Sequence, residues 1–195
     1  MNKMSKNHID EKIIPMKLEM DNSISMYLED GYYISGKLET FTKAIYFNDS
    51  VSIYTPSSFI DMPDEIKEIK YPTSFRHEII KTNLAGDINF SFSLLEESEN
   101  ADVETLVGDF VNLLSKAHKG IKFLDTEKLN KEDCIEIHCF DFILPGIDEK
   151  IYHIVGIGKT DRKIIQLIFN CREHSSNAWK KAATDIFQNI ELIRK

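Results

Sequence analysis

Histidine and cysteine are the residue types in this chain that could form a nucleophile or a soft metal site. His138 and Cys139 are neighbours in a predicted strand, so their side chains point to opposite faces and cannot bind one metal ion together. Cys134 and His138 share a face, but roughly 13 Å of strand separates them, which is too far for two zinc ligands at about 2.0 to 2.3 Å. We therefore predict no catalytic residue, no cofactor-binding residue and no metal ligand.

Two alternatives stay open beside that prediction. One is a metal site formed by Cys171, His174 and a residue distant in the sequence. The other is a nucleophilic pair of Cys139 or Cys171 with His153 or His77. A reactive thiol needs an accessible and electropositive setting, whereas these cysteines lie in apolar predicted strands. We expect inert thiols packed as small hydrophobic residues.

Two closely spaced glycines, Gly156 and Gly158, are the next feature that could bind a ligand. They do not form a phosphate-binding loop, because strand residues flank them and no helix N-terminus or Lys-Ser/Thr pair follows. We expect them to permit close packing or a bulge within a strand.

An acidic block lies between Thr82 and Ser115, where no lysine or arginine occurs. It could present an acidic surface to a basic partner. It could also bind calcium loosely, although the alternating ligands and the glycine of an EF-hand loop are missing. We favour a solvated helix start, where the macrodipole stabilises acids. The acids are Asp87, Glu96, Glu97, Glu99, Asp102, Glu104 and Asp109.

The composition limits the partners. Lysine and arginine number 24 against 32 aspartate and glutamate residues, which gives a net charge of -8. Proteins that bind nucleic acid normally present a basic stripe, and adsorption to anionic lipid also draws on clustered basic residues. We expect no nucleic acid and no anionic membrane surface as a partner.

The sequence also bears on localisation. The three cysteines show no paired spacing, which suits reduced thiols. Residues 1–17 lack the apolar run of a signal peptide, and no later stretch approaches about 20 apolar residues. We predict a cytoplasmic protein without stable membrane insertion.

Alternating apolar residues predict a set of short strands. In one of them, apolar residues from Ile88 to Leu94 alternate with the polar Asn89, Ser91 and Ser93, which is typical of a sheet with one buried face. The strands are predicted at 46–55, 75–83, 88–95, 121–125, 133–144, 150–158 and 163–171.

Two amphipathic helices carry apolar stripes with three- and four-residue steps. The first is predicted over 101–119, with Asn100 or Asp102 as its cap. The second follows a serine cap, Ser175 or Ser176.

The connections between the strands predict antiparallel pairing, because parallel neighbours need a crossover of about a dozen residues. The two helices must bury their stripes, and the two faces of one sheet provide the sites. We predict an α+β fold with an antiparallel sheet flanked by helices on both faces. Residues 46–195 form this domain, and residues 1–45 form an N-terminal extension that is partly mobile.

Aromatic residues in or beside that extension, Tyr32, Tyr33 and Tyr46, could form an adhesive patch at an interface. We favour the interpretation that they fasten the extension to the sheet. Trp179 lies on the apolar stripe of the last helix, so we expect it in the core.

Several local strings resemble one known group of proteins. They are Ile53-Tyr54-Thr55-Pro56-Ser57-Ser58-Phe59, Lys70-Tyr71-Pro72, and Ile168-Phe169-Asn170-Cys171 followed by Trp179-Lys180. These strings and the order of elements resemble the PsbP-like superfamily, which includes DcrB-type bacterial proteins and the yeast Mog protein that binds Ran. The resemblance covers residues 46–195 and implies an antiparallel sheet with helices on both faces.

Members of that superfamily are generally binding proteins rather than enzymes. The resemblance therefore implies a non-catalytic module that recognises a protein partner, and we leave monomer and homodimer open. An alternative comes from the Eag chaperones of type VI secretion, which hold apolar helices of effectors and would need an exposed apolar groove. A cryptic hydrolase or metal-binding protein is the remaining alternative.

Overall fold

The computed structural model describes residues 27–72, 76–96, 102–160 and 163–193. Within these ranges the helices are α1 (Asp64–Lys70), α2 (Val103–Ala117) and α3 (Ser176–Gln188), and a 3-10 turn (Glu173–Ser175) precedes α3. The strands are β1 (Tyr32–Ile34), β2 (Lys37–Glu39), β3 (Phe41–Tyr46), β4 (Val51–Pro56), β5 (Ile60–Asp61), β6 (Ile79–Thr82), β7 (Ile88–Glu96), β8 (Lys122–Leu129), β9 (Ile137–Pro145), β10 (Lys150–Lys159), β11 (Lys163–Arg172) and β12 (Glu191–Leu192).

Seven strands form the main sheet, in the order β5-β6-β7-β11-β10-β9-β8. All of its strand pairs are antiparallel, as predicted. After β7 the chain passes through α2 to the far edge at β8 and then returns strand by strand, so β11 completes the sheet beside β7. Two small sheets, β12-β4-β3 and β1-β2, accompany it.

The main sheet is covered on both faces, which confirms the predicted layering. On one face, the stripe of α3 packs with the small sheets, and Trp179 lies within 5.6 to 6.3 Å of the rings of Phe59, Phe90 and Phe169. On the other face, Val107 of α2 packs in a second cluster of apolar residues. Trp179 is therefore a core residue, as predicted.

The strand boundaries near the start of the domain differ from the prediction. The strand predicted at 46–55 is two strands, because residues 47–50 form a turn between β3 and β4. Phe47, Asn48 and Asp49 all have positive φ, near 57°, 54° and 62°. Asparagine and aspartate tolerate this conformation, whereas phenylalanine rarely adopts it, so the turn was hard to predict. The predicted domain boundary after residue 45 falls inside β3.

The two amphipathic helices begin differently. Asp102 caps α2 as predicted, since its side chain accepts a hydrogen bond from the backbone N–H of Thr105. Ser175 occupies the N-cap position of α3 as predicted, but without the side-chain hydrogen bond of a cap. Ser176 instead donates to the carbonyl of Glu173, because the 3-10 turn runs directly into the helix. No helix in the described part of the chain has the length and apolar character to cross a bilayer.

The polar side of β7 is buried, so the prediction of one buried sheet face is wrong for this strand. Asn89, Ser91 and Ser93 are 4%, 0% and 5% exposed. His77, ahead of β6, lies over this side with its Nδ1 2.8 Å from Ser93 Oγ. Burial lowers the pKa of His77 to about 4, so it is neutral at physiological pH.

Gly156 and Gly158 lie where β10 passes close to β9 and to the residues directly before β9, which confirms the expected close packing. A Cβ on Gly158 would lie 2.9 Å from Ile135 Cγ2 and 3.0 Å from the carbonyl oxygen of Glu136. Real Cβ atoms need more space than this, so the site requires glycine.

Gly158→Ala should lower the free energy of unfolding by about 1 to 3 kcal/mol, because overpacking forces the backbone apart. Gly108→Ala is the matched control: it lies in α2 with no atom within 4 Å of its Cβ position. There the same change should raise stability by up to about 1 kcal/mol, since alanine is the better helix former. Urea unfolding followed by circular dichroism measures both. Equal effects of the two substitutions would contradict the packing argument.

Candidate functional site

Strand β8 forms one edge of the main sheet and, in the described part of the chain, pairs only with β9. Its residues from Leu124 to Lys128 are exposed. A polar stripe of α3 runs beside residues 127–130, on the helix side that does not enter the core. The strand and the stripe enclose an open groove of about 630 Å³, which we call the β8–α3 groove. The stripe consists of Asn177, Lys180, Lys181, Thr184, Asp185 and Gln188.

A buried carboxylate, Asp141 of β9, lies beside Lys180 at the inner end of this groove. It is 3% exposed and accepts hydrogen bonds from Tyr152 Oη at 2.6 Å and from the backbone N–H of Asp125 at 2.7 Å. Lys180 Nζ reaches the same carboxylate at 2.8 Å and that of Asp125 at 3.0 Å. Both oxygens of Asp141 therefore have donors.

These contacts fix the charges of the cluster. Burial tends to raise the pKa of Asp141, but the hydrogen bonds from Lys180 and Tyr152 outweigh it and lower the pKa below its usual value. Burial and the neighbouring carboxylate raise the pKa of Tyr152. Burial tends to lower the pKa of Lys180, but its two carboxylate partners raise it overall. At neutral pH the cluster is an ion pair with a tyrosine donor, which holds α3 against β9.

The N-terminal part of the described chain supports the outer end of α3. Tyr32 is 2% exposed, donates its hydroxyl to Asp185 and packs edge-on against Phe41. Lys181 pairs with the same carboxylate at 2.6 Å. The tyrosine at position 32 thus fastens its segment to the domain, as favoured, whereas Tyr33 is exposed.

The charged side chains that line the groove differ in whether a described residue of opposite charge pairs with them. Lys128 pairs with Glu136 at 2.9 Å, and the two lysines of α3 have the partners given above. The carboxylate of Glu127, on the exposed edge strand, has no hydrogen bond or ion pair with any described residue. Among the described residues, the groove therefore offers one negative charge without a partner, beside an edge strand that pairs only with β9.

The alternative of a nucleophilic Cys-His pair does not assemble among the described residues. Cys139 and Cys171 point to the α3 side of the main sheet and are 5% and 0% exposed. His153 points to the opposite side, where its ring stacks on Phe142 at 4.8 Å. Burial raises the pKa of both thiols, that of Cys171 to about 12. The two core cysteines are therefore packed as small hydrophobic residues, as expected, and the alternative of a pair with His153 is wrong because the sheet separates them.

The alternative metal site is not formed either. The thiol of Cys171 lies inside the core, whereas His174 is exposed and 3.8 Å from Glu149. In the ranges that the structure describes, no group of three or more His, Cys, Asp and Glu side chains could hold a metal ion.

The acidic block is dispersed rather than gathered into one surface. Asp87 pairs with Arg172 at 3.3 Å at one end of β7, and Glu96 pairs with Lys163 at 3.2 Å at the other. Asp102 caps α2, in agreement with the favoured helix start. Glu97 and Glu99 lie outside the described residues.

The Asp141 cluster was not predicted from the sequence. Its members come from three strands and a helix, so no spacing relates them. One signal was present: Asp141 is a charged residue between phenylalanines at 140 and 142, in a strand with two apolar faces. A charge in such a strand is buried and must have partners.

Asp141→Asn should lower the free energy of unfolding at pH 7 by about 1 to 3 kcal/mol, because it removes a carboxylate that satisfies three donors. Because the folded pKa of Asp141 lies below the unfolded value of 3.8, its contribution is present above pH 3.8 and is lost as the pH falls through the folded pKa. The difference between wild type and variant should therefore shrink in that acidic range. Chemical unfolding at several pH values measures it. A difference independent of pH would contradict the assignment.

Comparison with known proteins adds the fold relationship. No described protein family and no curated protein matches this sequence. The solution structure of the cyanobacterial PsbP protein CyanoP from Synechocystis superposes with a TM-score of 0.60 at 12% identity, over 82% of this chain and 96% of that one. The crystal structure of LpqN, a Mycobacterium tuberculosis protein involved in cell envelope biogenesis, gives 0.57 at 10% identity, over 83% and 95%. This chain has the PsbP-like fold.

Proposed function

We propose that this protein is a non-catalytic binding module that holds an extended segment of a partner protein in the β8–α3 groove. One observation carries the proposal: an exposed edge strand lies beside the polar face of a helix, and the space between them is open. An extended peptide added to such an edge gains main-chain hydrogen bonds from the strand and side-chain contacts from the helix.

The groove suits a polar segment better than an apolar one. Its α3 wall carries lysine, asparagine, threonine, aspartate and glutamine side chains. A holder of apolar helices would need an apolar groove instead. The apolar pocket beneath α2, between Leu106 and Ile164, has a volume of only about 110 Å³. The geometry thus favours the peptide-binding function over the chaperone alternative.

The unpaired carboxylate in the groove indicates the charge that the partner segment carries. Glu127 has no cationic partner among the described residues, while the lysines around it are already paired. A lysine or arginine on the bound segment would complete the charge pattern, since complementary charges give specificity at interfaces. We further propose that the protein acts in the cytoplasm, where Cys139 and Cys171 stay reduced.

Selection of a random peptide library on the purified full chain tests this proposal. Binding peptides should carry a lysine or arginine, and their binding should slow amide hydrogen exchange in β8, because the edge N–H groups become hydrogen-bonded. Protection confined to another surface, or no peptide above background, would contradict the proposal.

Glu127→Lys is the second test, on the peptides obtained. This substitution should weaken the binding of these peptides by about tenfold, since reversing one complementary charge costs about 1.4 kcal/mol. Glu68→Lys is the matched control, because it makes the same charge change on the exposed face of α1, away from the groove. An equal loss of affinity in both variants would show a general charge effect and refute the specific site.

A further inference from the structure

A second cleft lies on the opposite side of the main sheet from the β8–α3 groove, and we call it the polar cleft. Three neighbouring strands form its floor with one polar residue each. Asn89 of β7 pairs in register with Asn170 of β11, which pairs in register with His153 of β10. The cleft has a volume of about 400 Å³ and is open to solvent. Helix α2 packs on a neighbouring part of this face, over Val155.

Two buried atoms of this floor have no hydrogen bond of ordinary geometry with any described residue: Asn89 Oδ1 and His153 Nδ1. A weaker contact with the backbone of Ile151 acts on the His153 ring. Asn89 is 4% exposed, and its Nδ2 donates to Asn170 Oδ1 at 2.8 Å, so only its carbonyl oxygen is unsatisfied. Buried polar atoms nearly always have partners, because leaving one unpaired costs the full desolvation penalty. Asn89 and His153 lie on either side of Asn170 on the floor of one cleft. A bound molecule that spans Asn170 can give both side chains a hydrogen bond.

The rim of the cleft is balanced in charge. Arg172 Nε pairs with Glu149 at 2.9 Å and with Asp87 at 3.3 Å. Lys70 donates to the carbonyl oxygen of Gly86. Two cations and two anions therefore face each other, and the arginine is already engaged. Such a rim gives no net attraction for an anion or a cation.

We propose that the polar cleft binds a small uncharged ligand rich in hydroxyl groups, such as a sugar. A hydroxyl group both donates and accepts, so it can donate to the oxygen of Asn89 and match either tautomer of His153. Burial lowers the pKa of His153 to about 4, so the imidazole is neutral, in agreement with an uncharged ligand. The volume falls within the range of small-molecule sites.

A ligand can reach the floor of the polar cleft by displacing the hydroxyl of Tyr71. Its hydroxyl lies 3.5 Å from Asn170 Nδ2, which is a long and weak hydrogen bond. A ligand hydroxyl can take its place at little cost, and the tyrosine ring then offers an apolar surface to the carbon framework of a sugar. Tyr71 directly follows α1, whose residues are all at least partly exposed.

Nuclear magnetic resonance on the isotope-labelled full chain tests the proposal, with glucose, galactose and mannose as separate probes. Each is added to about 50 mM, because a weak site can have a millimolar dissociation constant. At least one hexose should shift the side-chain amide signals of Asn89 and Asn170 and the ring nitrogen signals of His153. Inorganic phosphate at the same concentration should not. Absence of hexose shifts, or equal shifts with phosphate, would overturn the proposal.

Two variants separate binding from folding. Asn89→Leu removes the unsatisfied oxygen, and His153→Phe keeps a flat ring on Phe142 while removing both nitrogens. Each should weaken hexose binding by at least about tenfold. Asn112→Leu, on the exposed face of α2, is the matched control and should bind as wild type does. Unchanged binding in both floor variants would refute the site, and Glu127→Lys should leave hexose binding intact because the groove lies on the other face.

Discussion

The contact between α3 and the main sheet determines the rest of the structure. Ala182 and Ala183 are fully buried at the centre of the α3 stripe, and their small size lets the helix approach the strands closely. Gly156 provides the matching space on β10, where a Cβ would lie 3.1 Å from Phe187. Because α3 is held this closely on its core side, its other side is placed along β8. The β8–α3 groove is therefore a direct consequence of core packing.

The opposite face of the sheet is less completely covered. Val107 is the only buried residue of α2 and is still 8% exposed, whereas five residues of α3 are buried. The apolar cluster beneath α2 centres on Phe140, Phe142 and Val155, and it meets the polar row at His153, whose ring stacks on Phe142. The two faces thus differ in kind: one is a continuous apolar core, and the other combines a small core with a polar cleft.

The periodicity of apolar residues was sufficient to predict the elements that bury a continuous apolar stripe. Both long helices, the antiparallel sheet and its coverage on two faces were predicted, because apolar spacing reports burial directly. The buried polar side of β7 could not be predicted, since alternation with Ser91 normally indicates a solvent-facing side, and the segment that covers it is separate in sequence. The Asp141 cluster was equally inaccessible: Lys180 is 39 residues away from Asp141 in the chain, and the backbone donor at Asp125 is 16 away.

The direction of the pKa shifts bears on the charge states of the buried groups. A general acid or base works best when its pKa lies near the operating pH, so enzymes shift buried groups toward neutrality. In this core the shifts run away from neutrality: the pKa falls for Asp141 and for the two buried histidines, and it rises for Tyr152, Lys180 and the core thiols. Each of these groups keeps a single charge state across the physiological range. Such a core carries fixed charges and fixed hydrogen bonds.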